Sequence, residues 1–411
     1  MSDVLDRLRD ANPVPRDHST GWSSSAEGQA AKDGSERFEP RRRSRMPAAL
    51  VAAVLVVALA ASVALLRDGA NDEPAVPSSA SVVDRLSRGT WKQIDAGPAR
   101  GLENVTTIWT GHEVIVWGDR ADTSAGAAYN PTTGKWRTLA PSGLGLRRGA
   151  VVRWLGDVML VWGGWDPAES RVAPATDVAA YTPDTDTWRR LGNAPFGPPA
   201  PGNGVVTAVW TGQLLVMTNP LAPQGPAATA YDPNFNSWVA VPDPPISLAG
   251  NESLRAVWTG REVLYTMVNG GRAETVTYDP VGRTWAGSPP MTASAYNASD
   301  LFRTGQWWAQ VVWRGSPDLP SSLEVARRRR GGGGSEKYTH ASSCAVRTTS
   351  IPGGAVVWCS STELAATPVP GRPLLGLPVP PARASSSMVW TGRSLVAFAG
   401  DDLLELVPAR R

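Results

Sequence analysis

VTTIWTGHEVIVW, at residues 105–117, is the motif on which the architecture depends. It carries two runs of β-branched and aromatic residues on either side of a Thr-Gly pair. This pattern predicts a tight antiparallel hairpin, because such residues favour strands and glycine accepts the backbone angles of a turn. Equivalent hairpin positions, which we call stations, recur along the chain, and the first four intervals between them are 45 to 56 residues long. The stations are at Trp109, Trp154, Trp210, Trp258, Arg303 and Trp390. The last interval leaves room for two units, and the turn at 351–354 supplies the missing hairpin, so the chain is predicted to hold seven units.

A second motif, YNPTTGKW at residues 129–136, follows the first hairpin. An Asn-Pro or Asp-Pro pair opens a turn, so we expect the tyrosine on a third strand and the tryptophan on a fourth. The two aromatic residues are seven positions apart in four units, as Tyr129 and Trp136, Tyr181 and Trp188, Tyr231 and Trp238, and Tyr278 and Trp285. Repeats of four strands in roughly 50 residues are typical of a β-propeller, where large aromatic side chains pack between neighbouring blades.

The two ends of the repeat region predict how the propeller closes. Trp91 precedes Trp109 by 18 residues, an interval also found between the fourth-strand tryptophan of the first unit and the next hairpin. Trp91 is therefore expected on a fourth strand, whereas the last unit ends near Val407 after three. We predict that the N-terminal strand completes the C-terminal blade, which removes an open sheet edge. Six blades are the alternative, because residues 306–385 lack the Tyr-Trp motif.

Glycine doublets after the second strand, at Gly163-Gly164 and Gly270-Gly271, precede the tyrosine and the tryptophan. In this pattern the chain resembles the kelch-repeat family and, more loosely, the propeller of galactose oxidase-like proteins. Two units depart from the pattern, with Gly118-Asp119 and Asn219-Pro220 in place of the doublet. The resemblance implies an all-β, kelch-like β-propeller of about seven four-stranded blades over residues 88–409.

An apolar segment precedes the repeats. Residues 47–66 contain no charged side chain and consist almost entirely of Ala, Val and Leu. The segment is long enough for an α-helix to cross the hydrocarbon core of a bilayer. We therefore predict one transmembrane helix at residues 46–67. The arginines within 41–45 place the N-terminus in the cytoplasm and the propeller outside it. A cleavable signal peptide is the alternative interpretation, although a long polar stretch precedes the segment.

The segments on either side of the predicted helix are polar. Residues 1–45 lack an apolar run and are rich in Ser, Gly, Pro and charge, so we expect a disordered cytoplasmic tail. Residues 68–87 are interpreted as a linker. The predicted organisation is a tail, a transmembrane helix, a linker and a propeller, in a single-pass protein of the cell membrane.

Charge and composition narrow the function classes. The chain has 40 basic and 37 acidic side chains and a net charge of +3, which does not indicate a basic surface for binding nucleic acid. Its basic residues are mostly arginine, and Ala, Gly, Pro and Val are abundant, as in a GC-rich, actinobacterium-like genome. Eighteen tryptophans against five phenylalanines indicate a repeated structural position for the indole ring. Trp165, and one of Trp307 or Trp308, lie outside the repeat positions, and exposed tryptophans can bind sugars by stacking.

The resemblance to galactose oxidase-like proteins makes copper catalysis the first enzyme hypothesis. Such a site needs histidines and tyrosines that converge on the metal. The propeller region has His112, next to a hairpin turn, and His340, in the weak part of the repeat. Their positions in the repeat argue against convergence. We therefore assign no catalytic, cofactor-binding or metal-binding residue, and we expect a protein that is not an enzyme.

Two cysteines flank the predicted turn at 351–354. Cys344 and Cys359 lie almost symmetrically on either side of it. Paired strands would bring them close together, which favours a disulfide outside the cytoplasm. Two buried free thiols are the alternative.

A basic run interrupts the fifth unit. Arg327, Arg328, Arg329 and Arg330 are followed directly by four glycines. We predict a mobile loop here, which is a candidate contact for anionic lipid or wall polymer. A solvated insertion is the alternative interpretation.

Three functions are compatible with this architecture. The first is a binding or interaction module for a protein or glycan of the cell envelope, and this is the function that we predict. The second is a transmembrane signalling protein whose cytoplasmic tail binds a regulator through Leu5 and Leu8. The third is a galactose oxidase-like or sugar-cleaving envelope enzyme. The fold by itself does not choose among them.

Overall fold

The structure is a computed structural model of the 411-residue chain. The residues that it describes are 79–166, 175–197, 206–219, 227–246, 254–269, 272–288, 298–304, 307–314, 322–329, 332–339, 346–352, 354–359, 364–367, 375–382 and 387–410. The chain divides into two compact units, Met1–Asp72 and Glu73–Arg411, and every described residue belongs to the second. The predicted tail, the predicted transmembrane helix and most of the predicted linker lie outside the described residues. Within the described ranges, no helix has the length and apolarity needed to span a membrane.

The described residues form seven four-stranded antiparallel sheets, which we call blades 1 to 7. The first strand of the chain, β1 (Thr90–Asp95), belongs to blade 7. Blade 1 contains β2 (Glu103–Trp109), β3 (Val114–Arg120), β4 (Thr123–Asn130) and β5 (Lys135–Thr138). Blade 2 contains β6 (Val151–Trp154), β7 (Met159–Trp162), β8 (Val178–Thr182) and β9 (Thr187–Leu191). Blade 3 contains β10 (Thr207–Trp210), β11 (Leu215–Thr218), β12 (Ala228–Asp232) and β13 (Ser237–Ala240).

The remaining blades follow in chain order. Blade 4 contains β14 (Arg255–Trp258), β15 (Val263–Asn269), β16 (Arg272–Asp279) and β17 (Thr284–Ser288). Blade 5 contains β18 (Ala298–Thr304), β19 (Trp307–Arg314), β20 (Ser322–Arg329) and β21 (Gly332–Thr339). Blade 6 contains β22 (Val346–Ile351), β23 (Gly354–Cys359), β24 (Leu364–Thr367) and β25 (Leu375–Gly376). Blade 7 adds β26 (Met388–Trp390), β27 (Leu395–Phe398) and β28 (Asp402–Val407) to β1.

The seven blades form a ring. The first strands of neighbouring blades contact one another in chain order, from β2 through β6, β10, β14, β18 and β22 to β26, and β26 contacts β2. A closed ring of four-stranded antiparallel sheets is the architecture of a β-propeller. The prediction of an all-β fold built from four-stranded blades is confirmed, and the described residues show seven of them.

β1 closes the ring as predicted. It pairs antiparallel with β28 along its whole length, from Thr90 opposite Val407 to Asp95 opposite Asp402. Blade 7 therefore takes three strands from the C-terminal end of the chain and one from the N-terminal side. This pairing covers β28, which would otherwise be an open edge strand.

The Thr-Gly stations form turns between first and second strands. The threonine Oγ1 accepts a hydrogen bond from the backbone N–H three residues later, at 2.9 to 3.0 Å, at Thr110, Thr211, Thr259 and Thr391. The glycine after each of these threonines has a φ between 84° and 102°. This left-handed conformation costs glycine little. The pair therefore supplies both the hydrogen bond and the backbone freedom that the turn requires.

The tyrosine and tryptophan of the second motif are cross-strand partners in blades 1 to 4. They lie directly opposite each other on the third and fourth strands, as predicted. Their ring centroids are 5.0 to 5.1 Å apart, and all four tyrosines are buried. Cross-strand aromatic pairs of this kind stabilise a sheet. In blade 7, Leu406 takes the tyrosine position opposite Trp91.

The fourth-strand tryptophans also join neighbouring blades. Each indole Nε1 donates a hydrogen bond to a backbone carbonyl at or just after the end of the preceding blade's fourth strand. These bonds, which we call indole latches, run from Trp91 to Pro378 (2.8 Å), Trp136 to Asp95 (2.9 Å), Trp188 to Ala140 (2.8 Å), Trp238 to Gly192 (3.0 Å) and Trp285 to Pro242 (2.7 Å). A phenylalanine could fill the same space but has no donor. The latches therefore give five of the 18 tryptophans a role that phenylalanine could not fill.

Tyr181 takes part in a polar network between blades 1 and 2. Its hydroxyl donates a hydrogen bond to Asp186 Oδ1 at 2.6 Å and accepts one from Arg137 Nη1 at 2.7 Å. Arg137 also forms an ion pair with Glu113 at 2.7 Å. Burial, reinforced by the hydrogen bond to Asp186, raises the pKa of Tyr181 to about 12.

We expect ionisation of tyrosine to unfold the protein at high pH. Burial is the largest cause of a raised pKa at Tyr129, Tyr181, Tyr231, Tyr265 and Tyr278. Because the folded pKa values are raised, the stability that they contribute is present below pH ~10 and is lost as the pH rises through them. Ultraviolet absorbance should show cooperative tyrosinate formation above pH ~10, together with loss of the β-sheet circular dichroism. Ionisation near pH ~10 with the circular dichroism intact would contradict this expectation.

A helix occupies the end of the predicted linker at 68–87. Helix α1 (Ser79–Ser87) presents Val82, Val83 and Leu86 to a buried cluster formed with residues of blades 6 and 7. These three side chains share one side of the helix because residues three and four apart are neighbours on its surface. The packed part of the propeller unit therefore begins at α1 and not at residue 88. This short amphipathic pattern was not recognised in the sequence.

The arginine run is a strand where a mobile loop was predicted. Arg327, Arg328 and Arg329 lie in β20, while Arg330 is outside the described residues. Each of the three is paired with a glycine of β21. This register places no like charge opposite the arginines, which permits the pairing.

The proposed disulfide stays a prediction. Cys359 is the last residue of β23, and its backbone is paired with Val346 at the start of β22. Cys344 lies outside the described residues.

Candidate functional site

The two edges of each blade differ in their connections. Because neighbouring strands are antiparallel, the turns from first to second and from third to fourth strands share one edge, which we call the turn edge. The other links lie at the opposite edge, the connection edge. The four longest links between described strands, at 139–150, 163–177, 192–206 and 241–254, all lie at the connection edge. Loops carried on a rigid scaffold commonly hold binding residues.

Charged residues of blades 1 and 2 meet at the connection edge. Asp119, near the end of β3, is buried and accepts hydrogen bonds from Asn104 Nδ2 at 2.9 Å and Ser124 Oγ at 3.3 Å. Arg148 Nε lies 3.7 Å from the same carboxylate. The Ser124 hydroxyl also accepts the backbone N–H of Arg147 at 2.8 Å. Blade 1 thereby holds the link that leads into blade 2.

Asp177 is the second carboxylate of this region and directly precedes β8. Its Oδ2 accepts hydrogen bonds from Arg147 Nη2 at 2.9 Å and from Arg190 Nη1 at 3.1 Å. The Arg147 and Asp177 side chains are 17% and 18% exposed, so this ion pair is mostly shielded from water. Arg190 is 58% exposed and is the outermost member.

Trp165 lies beside these charged residues. Trp165 and Arg148 exchange two backbone hydrogen bonds, of 3.0 and 3.1 Å, and the Arg148 guanidinium lies 5.9 Å from the centroid of the indole ring. Gly164, the second glycine of the kelch-like doublet, has a φ of 86°, and a Cβ there would lie 2.9 Å from the Arg147 carbonyl. The doublet therefore allows the close approach that places Trp165 against Arg148.

Asp119, Arg147, Arg148, Trp165 and Asp177 together are called the blade 1–2 cluster. Four of its buried atoms have no hydrogen-bond partner: Arg147 Nε, Arg148 Nε, Trp165 Nε1 and Asp177 Oδ1. A buried polar group without a partner costs about 1–3 kcal/mol. Such groups in a native protein call for a functional explanation or a bound water.

Part of this site is visible in the sequence. Trp165 lies outside the repeat positions, and Gly164 belongs to a recognisable glycine doublet. Arg147, Arg148 and Asp177 carry no such signal, because charged residues in links are common and only the packing of two blades brings these three together. Arg327, Arg328 and Arg329 lie at the turn edge of blade 5 and are not part of the cluster.

A copper site finds no support in the described ranges, where no group of three or more His, Cys, Asp or Glu residues could hold a metal ion. His112 lies exposed in the first turn of blade 1, and His340 is outside the described residues.

Comparisons with known proteins agree with the fold. No protein-family model and no curated protein matches the chain. Among solved structures, a fungal alcohol oxidase of the AA5 family in complex with copper is similar, with a TM-score of 0.54 and 13% identity over 78% of this chain and 76% of the other. The hydrazine synthase of Kuenenia stuttgartiensis has a TM-score of 0.53 and 12% identity, covering 75% of this chain and 96% of the other. At such low identity the likeness shows the kelch-like propeller fold alone.

Proposed function

We propose that the protein is an extracytoplasmic binding module of the cell envelope that takes a neutral glycan at the blade 1–2 cluster. The observation that carries the proposal is the partly exposed indole of Trp165 beside the partly exposed guanidinium of Arg148, which lies 5.9 Å from the ring centroid. In this proposal the segment at 47–66 anchors the protein in the cell membrane, with the N-terminus in the cytoplasm.

The chemistry of the cluster suits sugar hydroxyls. A hydroxyl both donates and accepts, so it can bond to the partly exposed guanidinium groups of Arg148 and Arg190. The site is open on one side, since the Arg148 side chain is 39% exposed. An aromatic ring beside polar groups that fix orientation is a common composition for a small-ligand site.

The charges of the cluster favour a neutral ligand over an acidic one. Arg147 and Arg190 are paired with Asp177, and Arg148 faces Asp119. Within the cluster itself, the two arginines are balanced by two aspartates. A carboxylate or phosphate ligand would have to compete with carboxylates already in place.

The cluster also lies at the edge opposite the point where the chain enters the propeller. α1 leads into β1 at the turn edge of blade 7, and Ala409 at the C-terminal end of the chain is hydrogen-bonded to Arg85 of α1.

We expect replacement of Asp177 to weaken glycan binding about tenfold or more, because Asp177 holds Arg190 in place and a hydrogen bond from that charged group to the ligand contributes about 1.5–3 kcal/mol. The full-length protein in detergent micelles would be screened on a glycan array, and the best neutral glycan titrated calorimetrically. Asp177→Asn and Trp165→Phe should both lose affinity. Asp232→Asn, at the turn edge of blade 3, is the matched control and should bind normally.

Two outcomes would count against the proposed site. Equal affinity of Asp177→Asn and the parent protein, with unchanged thermal midpoints, would place the ligand elsewhere. Absence of any glycan ligand, with capture of an envelope protein instead, would replace the glycan by a protein partner.

A further inference from the structure

The fourth strand of each blade is the outermost, and one side of its backbone has no neighbouring strand within its sheet. Such a strand can pair with another chain, and proteins commonly prevent this with charged side chains. The residue after the latch tryptophan is charged in three blades, as Lys92 in blade 7, Arg137 in blade 1 and Arg189 in blade 2. It is Val239 in blade 3 and Ala286 in blade 4, so these two outer strands lack the charge.

Among the uncharged outer strands, β17 of blade 4 is the most open to a partner. In β13, the Ala240 carbonyl accepts a hydrogen bond from Arg283 Nη2 at 2.8 Å, so the next blade already binds that strand. β25 of blade 6 contacts α1, which covers it. In β17, by contrast, Thr284, Ala286 and Gly287 are exposed. β21, the fourth strand of the next blade, contains no tryptophan that could form a latch toward blade 4.

The turn that leads into β17 is apolar at its tip. Val281 is 84% exposed, and Phe235 in the equivalent turn of blade 3 is 80% exposed. Blades 1 and 2 have only threonine and aspartate at the tips of these turns, at 132–133 and 184–185. Removal of exposed apolar surface from water is favourable. A partner that pairs with β17 and covers Val281 would therefore be stabilised by this burial.

The sequence of β17 is complementary to itself in an antiparallel pair. With Ala286 at the centre, two copies of β17 would place Thr284 opposite Ser288 and Trp285 opposite Gly287. Threonine and serine in opposite positions can form a hydrogen bond, and no like charges meet. A Cβ built on Gly287 meets no atom within 4 Å, so this side of the strand has room for a neighbour. β9, which also has five residues, would instead place its central arginine opposite the same arginine of its partner.

We propose that β17 pairs antiparallel with β17 of a second copy of this chain, about a twofold axis that passes near Ala286. The pair joins two four-stranded blades into one eight-stranded sheet and satisfies the outward backbone N–H and C=O groups of both outer strands. The same patch is used on both subunits, which is the arrangement of a twofold dimer. This interface is independent of the proposed glycan site, which lies on blades 1 and 2.

Cysteine cross-linking tests the register of the pair. Opposite residues have Cα atoms about 4.5–5.5 Å apart, which a disulfide can bridge, so Ala286 lies within reach of its own copy. Thr284 lies about 14 Å from its own copy, four residues along the strand. After mild oxidation of the full-length protein in detergent micelles, we expect Ala286→Cys to form a covalent dimer on a non-reducing gel. Thr284→Cys should stay at the level of the parent protein, which has two cysteines of its own. Equal cross-linking of the two variants would contradict the pairing.

A charge at the centre of β17 tests the pairing without cysteine chemistry. Ala286→Arg gives β17 the central arginine of β9, and like charges directly opposite each other are destabilising. Sedimentation equilibrium in density-matched detergent should show a dimer for the parent protein and association weaker by about tenfold or more for Ala286→Arg. Ser237→Arg adds the same charge at an exposed position of β13 and should leave association unchanged. A dimer that persists in Ala286→Arg, or a parent protein that stays monomeric, would overturn the proposal.

Hydrogen exchange gives a readout that needs no variant. The amides of residues 284–288 should exchange several-fold more slowly at protein concentrations where the dimer forms, while those of β13 should not change. Protection that appears only in other strands would place the dimer interface elsewhere, and the assignment of β17 would then be wrong.

Discussion

Trp188→Ala is expected to lower the free energy of unfolding by about 3 kcal/mol, the low end for removal of a large aromatic side chain. Trp188 is only half-buried, which is why the low end applies. Its ring lies 5.0 Å from Tyr181 in its own blade and 4.9 Å from Trp117 in blade 1, and its Nε1 holds the Ala140 carbonyl at 2.8 Å. The substitution therefore removes packing on both sides of a blade interface together with the latch.

Trp188→Phe separates the latch from the packing. The phenyl ring keeps much of the contact with Tyr181 and Trp117, whereas the Ala140 carbonyl loses its donor. We expect the free energy of unfolding to fall by about 1 kcal/mol, the net contribution of a typical hydrogen bond. Urea unfolding of both variants, followed by tryptophan fluorescence and circular dichroism, measures the two losses. If the phenylalanine variant is as stable as the parent protein, the latch contributes nothing and its assignment is wrong.

Leu406→Ala should destabilise the closure of the ring by about 2–5 kcal/mol, the range for removal of a buried leucine side chain. Leu406 is fully buried, opposite Trp91 of β1 and Leu395 of β27. It also belongs to the cluster that contains Val83 and Leu86 of α1. A cavity here weakens the attachment of β1, β28 and α1 at once.

The segments in which hydrogen exchange becomes faster distinguish local opening at the ring closure from a general loss of stability. Hydrogen exchange in Leu406→Ala should rise first in α1, β1 and β28, because local opening follows the weakest contacts. The Arg137→Met variant, at the interface of blades 1 and 2, serves as a comparison that leaves the closure intact. Uniform acceleration of exchange across blades 1 to 4 in Leu406→Ala would show that closure is not an independent unit.

The architecture was predictable because its signals are local. Thr110 and Gly111 make a turn by themselves, through a hydroxyl acceptor and a left-handed glycine. Tyr129 and Trp136 lie opposite each other because the turn between them fixes the register. Even the closure by β1 follows from comparing one interval with another along the chain. Such patterns need no knowledge of neighbouring blades.

The structure differs from the sequence-based prediction where a local sequence pattern was short or ambiguous. α1 rests on three apolar side chains in nine residues, which are too few to distinguish a helix from a spacer without the surface that they cover. The arginine run has the composition of a loop, yet β20 forms because β19 and β21 flank it. Tertiary context overrides composition in both segments.

The sequence by itself determined the repeat, the turn chemistry and the four strands of units 1 to 4, since each depends on residues near one another in the chain. The closure was visible only as a matching interval, because β1 and β28 are more than 300 residues apart, and the number of blades was left at six or seven. Only the tertiary structure decided the acceptors of the indole latches, which are backbone carbonyls of the preceding blade and carry no side-chain signature. It also decided the blade 1–2 cluster. Asp119 belongs to β3, whereas Arg148 and Asp177 belong to two separate links, and only the packing of blade 1 against blade 2 brings them together.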